Sequence, residues 1–196
     1  MVQDPELWAA LTPVVEALEA LGVPYHLGGS VASSFTGISR ATQDADLVAD
    51  LHPHHATFLA ATLQQKGYYA DSERVEQGIQ ARRSFNVIHL PTMYKIDVFV
   101  SQDTPFAREN MARRIEIDIP SLGRSFCISS PEDIVLHKLL WYREGGGVSD
   151  RQWYDLQGVL RLQGPNMDLT YLRSWAKTLE VSEALERALA EAGSMT

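Results

Sequence analysis

The sequence predicts an α/β (α+β) fold, with an α/β domain over residues 1–129 followed by a helical C-terminal region over residues 130–196. As far as residue 129, segments with the spacing of amphipathic helices are interspersed with segments that have the alternation of strands. From residue 131 onward only helical patterns occur. The chain has 196 residues, 45% of them hydrophobic, which is enough for one domain with a core and a helical extension.

The first predicted helix covers residues 5–21. Asp4 offers a capping side chain, Pro5 suits the first helical position, and Gly22 ends the helix. Residues 23–27 form a short predicted strand, and a second helix covers residues 30–37.

Turn signals and apolar periodicity define the remaining elements. The predicted strands are residues 44–51, 84–90, 94–100, 114–119 and 124–129, and the predicted helices are residues 54–66, 131–143, 149–162, 169–179 and 182–192. The strands at residues 84–90 and 94–100 are separated by a short turn, so we expect them to form a β-hairpin.

Composition excludes several classes of protein. The single cysteine, Cys127, rules out an internal disulfide framework, and its place in an alternating segment predicts a buried thiol. No apolar run approaches the ~20 residues that span a bilayer, and no signal peptide is recognisable, so we expect a cytoplasmic protein without membrane contact. The net charge of −8 is unfavourable for a broad nucleic-acid surface.

Gly28-Gly29-Ser30 lies between a predicted strand and a predicted helix. Glycines let the backbone approach a ligand closely, and N–H groups at a helix start bind phosphate. The Ser30 hydroxyl adds a donor. We therefore expect this turn to bind the triphosphate of a nucleotide.

Three aspartates follow on predicted strands. Asp44 and Asp46 are two residues apart, so their side chains project to the same face, and Asp97 interrupts the apolar strand 94–100. Carboxylates are the ligands that Mg²⁺ prefers, and paired metal ions assist in-line phosphoryl displacement. The order of turn and carboxylates predicts a metal-dependent nucleotidyl transfer site, with Asp97 also assisting deprotonation of the acceptor.

These motifs resemble the signature of the DNA polymerase β-like nucleotidyltransferase superfamily. Residues 40–47, Arg-Ala-Thr-Gln-Asp-Ala-Asp-Leu, are similar to a stretch common in its small bacterial members, and Arg40 is a candidate phosphate contact. Residues 130–139 and 150–156 resemble the helical part of abortive-infection nucleotidyltransferase toxins.

The resemblance implies a mixed sheet flanked by helices, a divalent metal (Mg²⁺, with Mn²⁺ as the alternative) and transfer of a nucleoside monophosphate from an NTP to a hydroxyl. It also implies a catalytic lysine near the nucleotide phosphates, for which Lys138 is the matching residue. The acceptor is open between RNA such as tRNA, a protein and a small molecule. The resemblance to the toxin branch favours a macromolecular acceptor. It also makes an antitoxin protein a candidate partner.

Other interpretations remain at this point. A non-catalytic nucleotide-binding or protein-interaction module could keep the same fold, and a phosphate-ester hydrolase could use the same metals. Asp155 is a weaker catalytic candidate, because the spacing from Arg151 favours a surface ion pair on one helix. Lys138 has the alternative of a core-edge lysine whose ammonium reaches solvent.

Overall fold

A computed structural model describes residues 4–37 and 44–193, and strands from this part of the chain form one mixed sheet. The strands are β1 (Tyr25–Leu27), β2 (Asp44–Ala49), β3 (Tyr68–Tyr69), β4 (Ser84–His89), β5 (Tyr94–Val100), β6 (Ile115–Ile119) and β7 (Arg124–Ile128). Their order across the sheet is β3-β4-β5-β2-β1-β7-β6. The predicted α/β fold with a mixed sheet is confirmed.

The helices flank this sheet and continue beyond it. They are α1 (Pro5–Ala20), α2 (Gly29–Thr36), α3 (Ala56–Gln65), α4 (Ser72–Gln80), α5 (Pro105–Arg113), α6 (Pro131–Glu144), α7 (Asp150–Gln163), α8 (Leu169–Thr178) and α9 (Ser182–Gly193). Within the described ranges, no helix is both long enough and apolar enough to cross a membrane.

Strand direction brings the three predicted site aspartates to the middle of the sheet. β2 and β5 are parallel neighbours, whereas β1 is antiparallel to β2 and parallel to β7. The hairpin of β4 and β5 is antiparallel, as predicted, with His89 opposite Tyr94. The two central strands therefore align their side chains residue by residue.

The two faces of the central strands differ in burial. In β2 the buried residues are Ala45, Leu47 and Ala49, and in β5 the apolar residues at alternate positions are likewise buried. α1 packs against these strands. It begins where Asp4 accepts hydrogen bonds from the first-turn backbone, as predicted. The aspartates project to the other, half-buried face.

The helices after residue 130 pack on the side of the molecule to which the aspartates project. α6 begins at Ser130, whose Oγ accepts a hydrogen bond from the backbone N–H of Asp133. α2 contacts both α6 and α7, and α8 contacts α6. The helical region therefore covers the glycine turn as well as extending the chain.

Three elements were not predicted from the sequence: β3, α4 and α5. Their local signals are clear in retrospect, because Asp71 caps α4 and Thr104 caps α5, where Pro105 takes the first helical position. The thiol of Cys127 differs from the expectation of burial, since the residue is only partly buried.

Candidate active site

The glycine turn is pressed against Asp46. The Gly28 N–H donates to the Asp46 carbonyl at 2.9 Å, which joins the end of β1 to β2. Gly29 has a φ of +51°, and a Cβ there would lie 1.7 Å from Asp46 Oδ2. Only glycine fits this position, because both the left-handed backbone and the space require it. The predicted phosphate-binding turn and the predicted metal ligand are thus neighbours.

Ser30 lies in the first turn of α2 and is buried. Its carbonyl accepts hydrogen bonds from the hydroxyls of Ser33 and Ser34, at 3.2 and 2.7 Å. These bonds fix the start of α2, where N–H groups that have no partner within a helix are found. The predicted phosphate site therefore lies at a helix start that these two hydroxyls hold in place.

The three predicted carboxylates project from the two central strands. Asp46 is directly opposite Asp97 in the parallel register of β2 and β5, and Asp44 is opposite Lys95. The Lys95 ammonium lies 2.6 Å from Asp97 Oδ2. Asp44, Asp46, Lys95 and Asp97 therefore form one charged cluster on the half-buried face of the sheet.

The cluster changes the acidity of Asp46. Burial, followed by the negative charges of Asp44 and Asp97, raises the pKa of the Asp46 carboxyl to about 6. The ammonium groups of Lys138 and Lys95 oppose that shift. A carboxyl pKa that is raised on folding destabilises the folded protein as pH rises from about 4 to 6, because the charged form is the disfavoured one. A bound cation would relieve this repulsion.

Lys138 extends from α6 towards the same cluster. Its side chain is buried, and Nζ lies 3.0 Å from Asp155 Oδ2 on α7 and 3.4 Å from Gln152 Oε1. The expectation of a core-edge lysine reaching solvent is wrong. The expected surface pair of Arg151 and Asp155 is also wrong, because Asp155 turns inward to neutralise the buried ammonium.

Arg40 lies outside the described residues, so its predicted phosphate contact stays a prediction. Across residues 4–37 and 44–193, no three His, Cys, Asp or Glu side chains stand as a ready-made metal-ligand set. The closest contact of the Asp97 carboxylate here is the Lys95 ammonium. The roles assigned to the aspartates, the glycine turn and Lys138 therefore remain predictions. The residues themselves lie close together in the structure.

A cavity of about 320 Å³ opens beside Gly28, Gly29 and Asp46. It extends between β1, β2 and β5 on one side and α5 and α6 on the other. Sequence reasoning missed the contribution of α5, which carries Phe106 and Asn110 into the wall. The Thr104-Pro105 start of α5 was the signal that locates this helix, although no local signal shows what it covers.

Asp133 is a second buried carboxylate that the sequence did not single out. Its side chain is fully buried, and it accepts hydrogen bonds of 2.7 Å from both Tyr171 Oη and Ser130 Oγ. Burial raises its pKa, and the hydrogen bonds from Tyr171 and Ser130, followed by the Arg113 guanidinium, partly oppose this effect. Because Tyr171 belongs to α8, Asp133 links α6 to the following helices.

Comparisons with solved structures show which known proteins share this fold. The solution structure of the antibiotic-resistance factor ANT(2'')-Ia superposes with a TM-score of 0.56 at 14% identity, covering 98% of this chain and 97% of that one. A nucleotidyltransferase-like protein from Paracoccidioides brasiliensis gives 0.51 at 17% identity, covering 93% and 92%.

The lincosamide antibiotic adenylyltransferase LnuA, in its lincomycin-bound crystal structure, gives a TM-score of 0.50 at 14% identity, covering 81% of this chain and 96% of that one. No protein-family model and no curated protein matches the sequence. At these identities the likeness establishes the fold.

Proposed function

We propose that this protein is an Mg²⁺-dependent nucleotidyltransferase that moves a nucleoside monophosphate from an NTP to a hydroxyl group. The observation that carries the proposal is the juxtaposition at the sheet centre. Asp46 and Asp97 are in register on adjacent parallel strands, and the Gly28-Gly29 turn packs directly on Asp46. The same fold occurs in a lincosamide antibiotic adenylyltransferase and in a nucleotidyltransferase-like protein.

The donor chemistry fits a divalent metal. Asp44, Asp46 and Asp97 supply the hard oxygen ligands that Mg²⁺ and Mn²⁺ accept. Burial and, after it, their mutual repulsion raise the pKa of Asp46, so a cation between the carboxylates would relieve part of an existing cost. When bound, the metal would neutralise phosphate charge and polarise the reacting oxygens. Lys95 must release Asp97 first, and its partly exposed side chain permits this.

The protein residues would perform the remaining tasks. Gly28, Gly29 and Ser30 would hold the phosphates through backbone N–H groups and the serine hydroxyl. Lys138 would place its charge beside those phosphates, held in position by Asp155. Arg40 is proposed as a further phosphate contact.

In the proposed reaction, the acceptor oxygen forms a bond to the α-phosphorus while the bond from that phosphorus to the pyrophosphate oxygen breaks. Asp97 takes the acceptor proton as general base, and pyrophosphate leaves with the electron pair of the broken bond. The products are the nucleotidylated acceptor and pyrophosphate.

For the acceptor we favour a small molecule. Lincomycin is bound in the LnuA structure, and a related ANT(2'')-Ia structure contains adenylyl-2''-tobramycin. A toxin-like role with a macromolecular acceptor and an antitoxin partner draws no support from these similar structures. The proposed class of acceptor is therefore a small molecule with a free hydroxyl.

The first test is thermal unfolding with each NTP in turn, with and without Mg²⁺. A ligand at 100 times its Kd adds about 2.7 kcal/mol to the free energy of unfolding, which gives a clear shift in Tm. We expect one or more NTPs to stabilise the wild type in an Mg²⁺-dependent manner, and the shift to vanish in Asp44→Asn/Asp46→Asn. Glu116→Gln, which removes an exposed carboxylate on β6, is the matched control and keeps the shift.

A non-catalytic nucleotide-binding module is the second candidate, and the Lys95–Asp97 ion pair favours it. The Lys95 ammonium beside Asp97 reduces the repulsion among the carboxylates without a metal. The transferase and the non-catalytic module are distinguished by measuring pyrophosphate release. The protein is incubated for days with the stabilising NTP and a pool of hydroxyl compounds. Mg²⁺-dependent release that Asp97→Asn abolishes supports the transferase, whereas NTP binding without release in any pool supports the module.

A further inference from the structure

The turn between α4 and β4 places two arginines, Arg82 and Arg83, in the wall of the cavity that adjoins the glycine turn. Their backbone N–H groups donate to the carbonyls of Ile79 and Gly78, at 3.2 and 2.8 Å, so the end of α4 fixes this arginine turn. The Arg82 guanidinium also donates to the Ser101 carbonyl at the end of β5. The arginine turn is therefore a fixed part of the cavity.

The guanidinium of Arg83 is available to a ligand. The residue is exposed, and within residues 4–37 and 44–193 its side chain has no ion-pair partner. The Arg82 guanidinium differs, because it lies 3.8 Å from an Asp50 carboxylate oxygen. Arg83 also lines a neighbouring cleft that contains Arg74. Of the two arginines in the turn, Arg83 is thus the one that can pair with a ligand without losing a partner.

The charge of this region is opposite to that of the whole chain. The chain has a net charge of −8, yet Asp46 is the one carboxylate among the described residues that line the cavity and the neighbouring cleft. The cationic residues in the same two walls are Arg74, Arg82, Arg83 and Lys138. A cleft lined mainly by one sign of charge attracts ligands of the opposite sign. A polycationic ligand would be repelled here.

Strand order separates the arginine turn from the predicted phosphate site. The arginines precede β4 and Gly28 follows β1, and in the sheet β5 and β2 lie between those two strands. Three strand spacings of about 4.8 Å put roughly 14 Å between β4 and β1. Along the strands, Gly28 is level with Asp46, whereas Ser84 pairs with Phe99, two residues beyond Asp97. The two central aspartates therefore lie between the glycine turn and the arginine turn.

The geometry of phosphoryl transfer then relates the arginine turn to the acceptor. In an in-line displacement, the attacking oxygen approaches phosphorus from the side opposite the leaving group. With pyrophosphate held at the glycine turn, the acceptor oxygen attacks from the side of β4. The body of the acceptor would then lie towards the arginine turn, beyond the reach of the groups that hold the phosphates.

We propose that the acceptor is an acidic small molecule, which carries a carboxylate or phosphate group besides the reacting hydroxyl, and that Arg83 selects it by binding that group. This inference rests on the proposed function and narrows its class of acceptor. Arginine binds both kinds of anion through paired N–H donors. The cavity volume of about 320 Å³ is at the lower end for drug-sized ligands, which suits a small acceptor.

Four hexose derivatives that differ in charge test this selection. Glucuronate and glucose 6-phosphate are anionic, glucose is neutral and glucosamine is cationic. The protein is labelled with 5-fluorotryptophan, and binding is followed by ¹⁹F NMR without NTP or metal. The sequence has four tryptophans, of which Trp141 lines the cavity and Trp8 packs in the core against Phe126. Trp141→Phe assigns the reporting resonance.

We expect at least one anionic derivative to shift the Trp141 resonance, and not that of Trp8, at a concentration about 3–5-fold lower than glucose requires. This factor corresponds to one exposed ion pair. The more tightly bound derivative shows whether the cavity prefers a carboxylate or a phosphate. Arg83→Gln should remove the preference for the anion and leave glucose binding unchanged. Arg151→Gln, which removes an exposed arginine outside the cavity, is the matched control and should keep the preference.

A second measurement separates the acceptor from the NTP. Arg83→Gln should keep the Mg²⁺-dependent NTP shift in Tm, because the phosphates bind at the other end of the cavity. Loss of that shift in Arg83→Gln would assign the arginine to the NTP and overturn the proposal. So would an unchanged preference for the anion in Arg83→Gln, tighter binding of glucose or glucosamine than of both anions, or no response to all four compounds. A wild type without any NTP shift would instead contradict the proposed function, whereas the hexose comparison decides the anion preference by itself.

Discussion

Gly29 combines a left-handed backbone with contact to a carboxylate, and these two effects are separable by experiment. Gly29→Ala should cost roughly 1–2 kcal/mol of stability through its positive φ and also displace the Asp46 side chain. We expect the Mg²⁺-dependent NTP shift in Tm to disappear in this variant.

Two other glycines provide the controls for that measurement. Gly22 has a φ of +68° with nothing within 4 Å of an added Cβ, so Gly22→Ala should lose similar stability and keep the NTP shift. Gly28 has an ordinary φ and 4.0 Å to Asp46, so Gly28→Ala should be well tolerated. Loss of the NTP shift in Gly22→Ala would show that strain alone explains the effect at Gly29.

The buried histidines make stability rise with pH, in the direction opposite to the contribution of Asp46 between about pH 4 and 6. His26 and His137 have their pKa lowered to about 4 by burial, against about 6.5 in the unfolded chain. Above pH 6.5 both states are neutral and the full stability is present. Between pH 6.5 and 4 the unfolded state binds protons first, so stability falls by up to about 3 kcal/mol per histidine.

Urea unfolding at pH 7.5, 6 and 5 measures this loss. His26→Gln should reduce the dependence on pH over that range, whereas His54→Gln, at an exposed position, should leave it unchanged. A His26→Gln variant whose free energy of unfolding depends on pH as steeply as that of the wild type would contradict the assignment of a neutral buried imidazole to His26.

At the scale of single residues, the sequence revealed the motif but not its surroundings. The spacing of Asp44 and Asp46 follows from strand geometry, and Asp97 stands out because a carboxylate in an apolar strand needs a reason. Phe106 and Asn110 have no such local signature, since only the folded chain brings them to one cavity.

At the scale of elements, α6 and α7 are joined by the buried pair of Lys138 and Asp155. Removing one member leaves an uncompensated charge, so Asp155→Ala should cost about 3–5 kcal/mol. The double variant Lys138→Met/Asp155→Leu should recover most of that loss, because apolar side chains of similar size replace such pairs well. Urea unfolding of the single and double variants measures the coupling.

The same variants separate stability from activity. The double variant should fold well and still lack NTP-dependent pyrophosphate release, because Lys138 lines the proposed site. Arg151→Ala is the control and should change stability by less than about 0.5 kcal/mol, as for other exposed residues. If Arg151→Ala lost as much stability as Asp155→Ala, the surface pair of Arg151 and Asp155 would be the stabilising one.

Most helices and strands were predictable because residues close to each boundary show where the element begins or ends. Caps and prolines mark α1 and α6, and apolar residues at alternate positions mark β4 and β5, although each strand also has adjacent apolar residues. β3 has only two residues, too few for any periodicity. The inward orientation of Asp155 depends on a lysine 17 positions earlier in the chain, and helical spacing alone contains no such information.

At the scale of the whole molecule, the two predicted regions share contacts around α2, so we expect them to unfold together. With 5-fluorotryptophan, Trp8 reports on residues 1–129 and Trp175 on residues 130–196. Their native resonances should disappear with one midpoint in urea, coincident with the loss of helical circular dichroism. Two separate midpoints would show that the regions fold independently.

The order of the strands in the sheet could not be predicted from the sequence. β7 pairs with β1 in parallel through Leu27 and Ile128, about a hundred residues apart, and strand periodicity says nothing about such pairings. The family resemblance supplied the mixed sheet, and the structure supplied the order. Long-range closure of this kind is also slow to form, because loop entropy is lost before the contact stabilises it.

The buried pair of Lys138 and Asp155 can form during translation only after the ribosome has synthesised both residues. All three aspartates are synthesised by residue 97, but the clamp on the lysine requires residue 155. At roughly 5–20 residues per second, the nascent polypeptide carries its carboxylates for about 3–12 s before that clamp can close. The proposed site would thus be completed only after α7 has been synthesised.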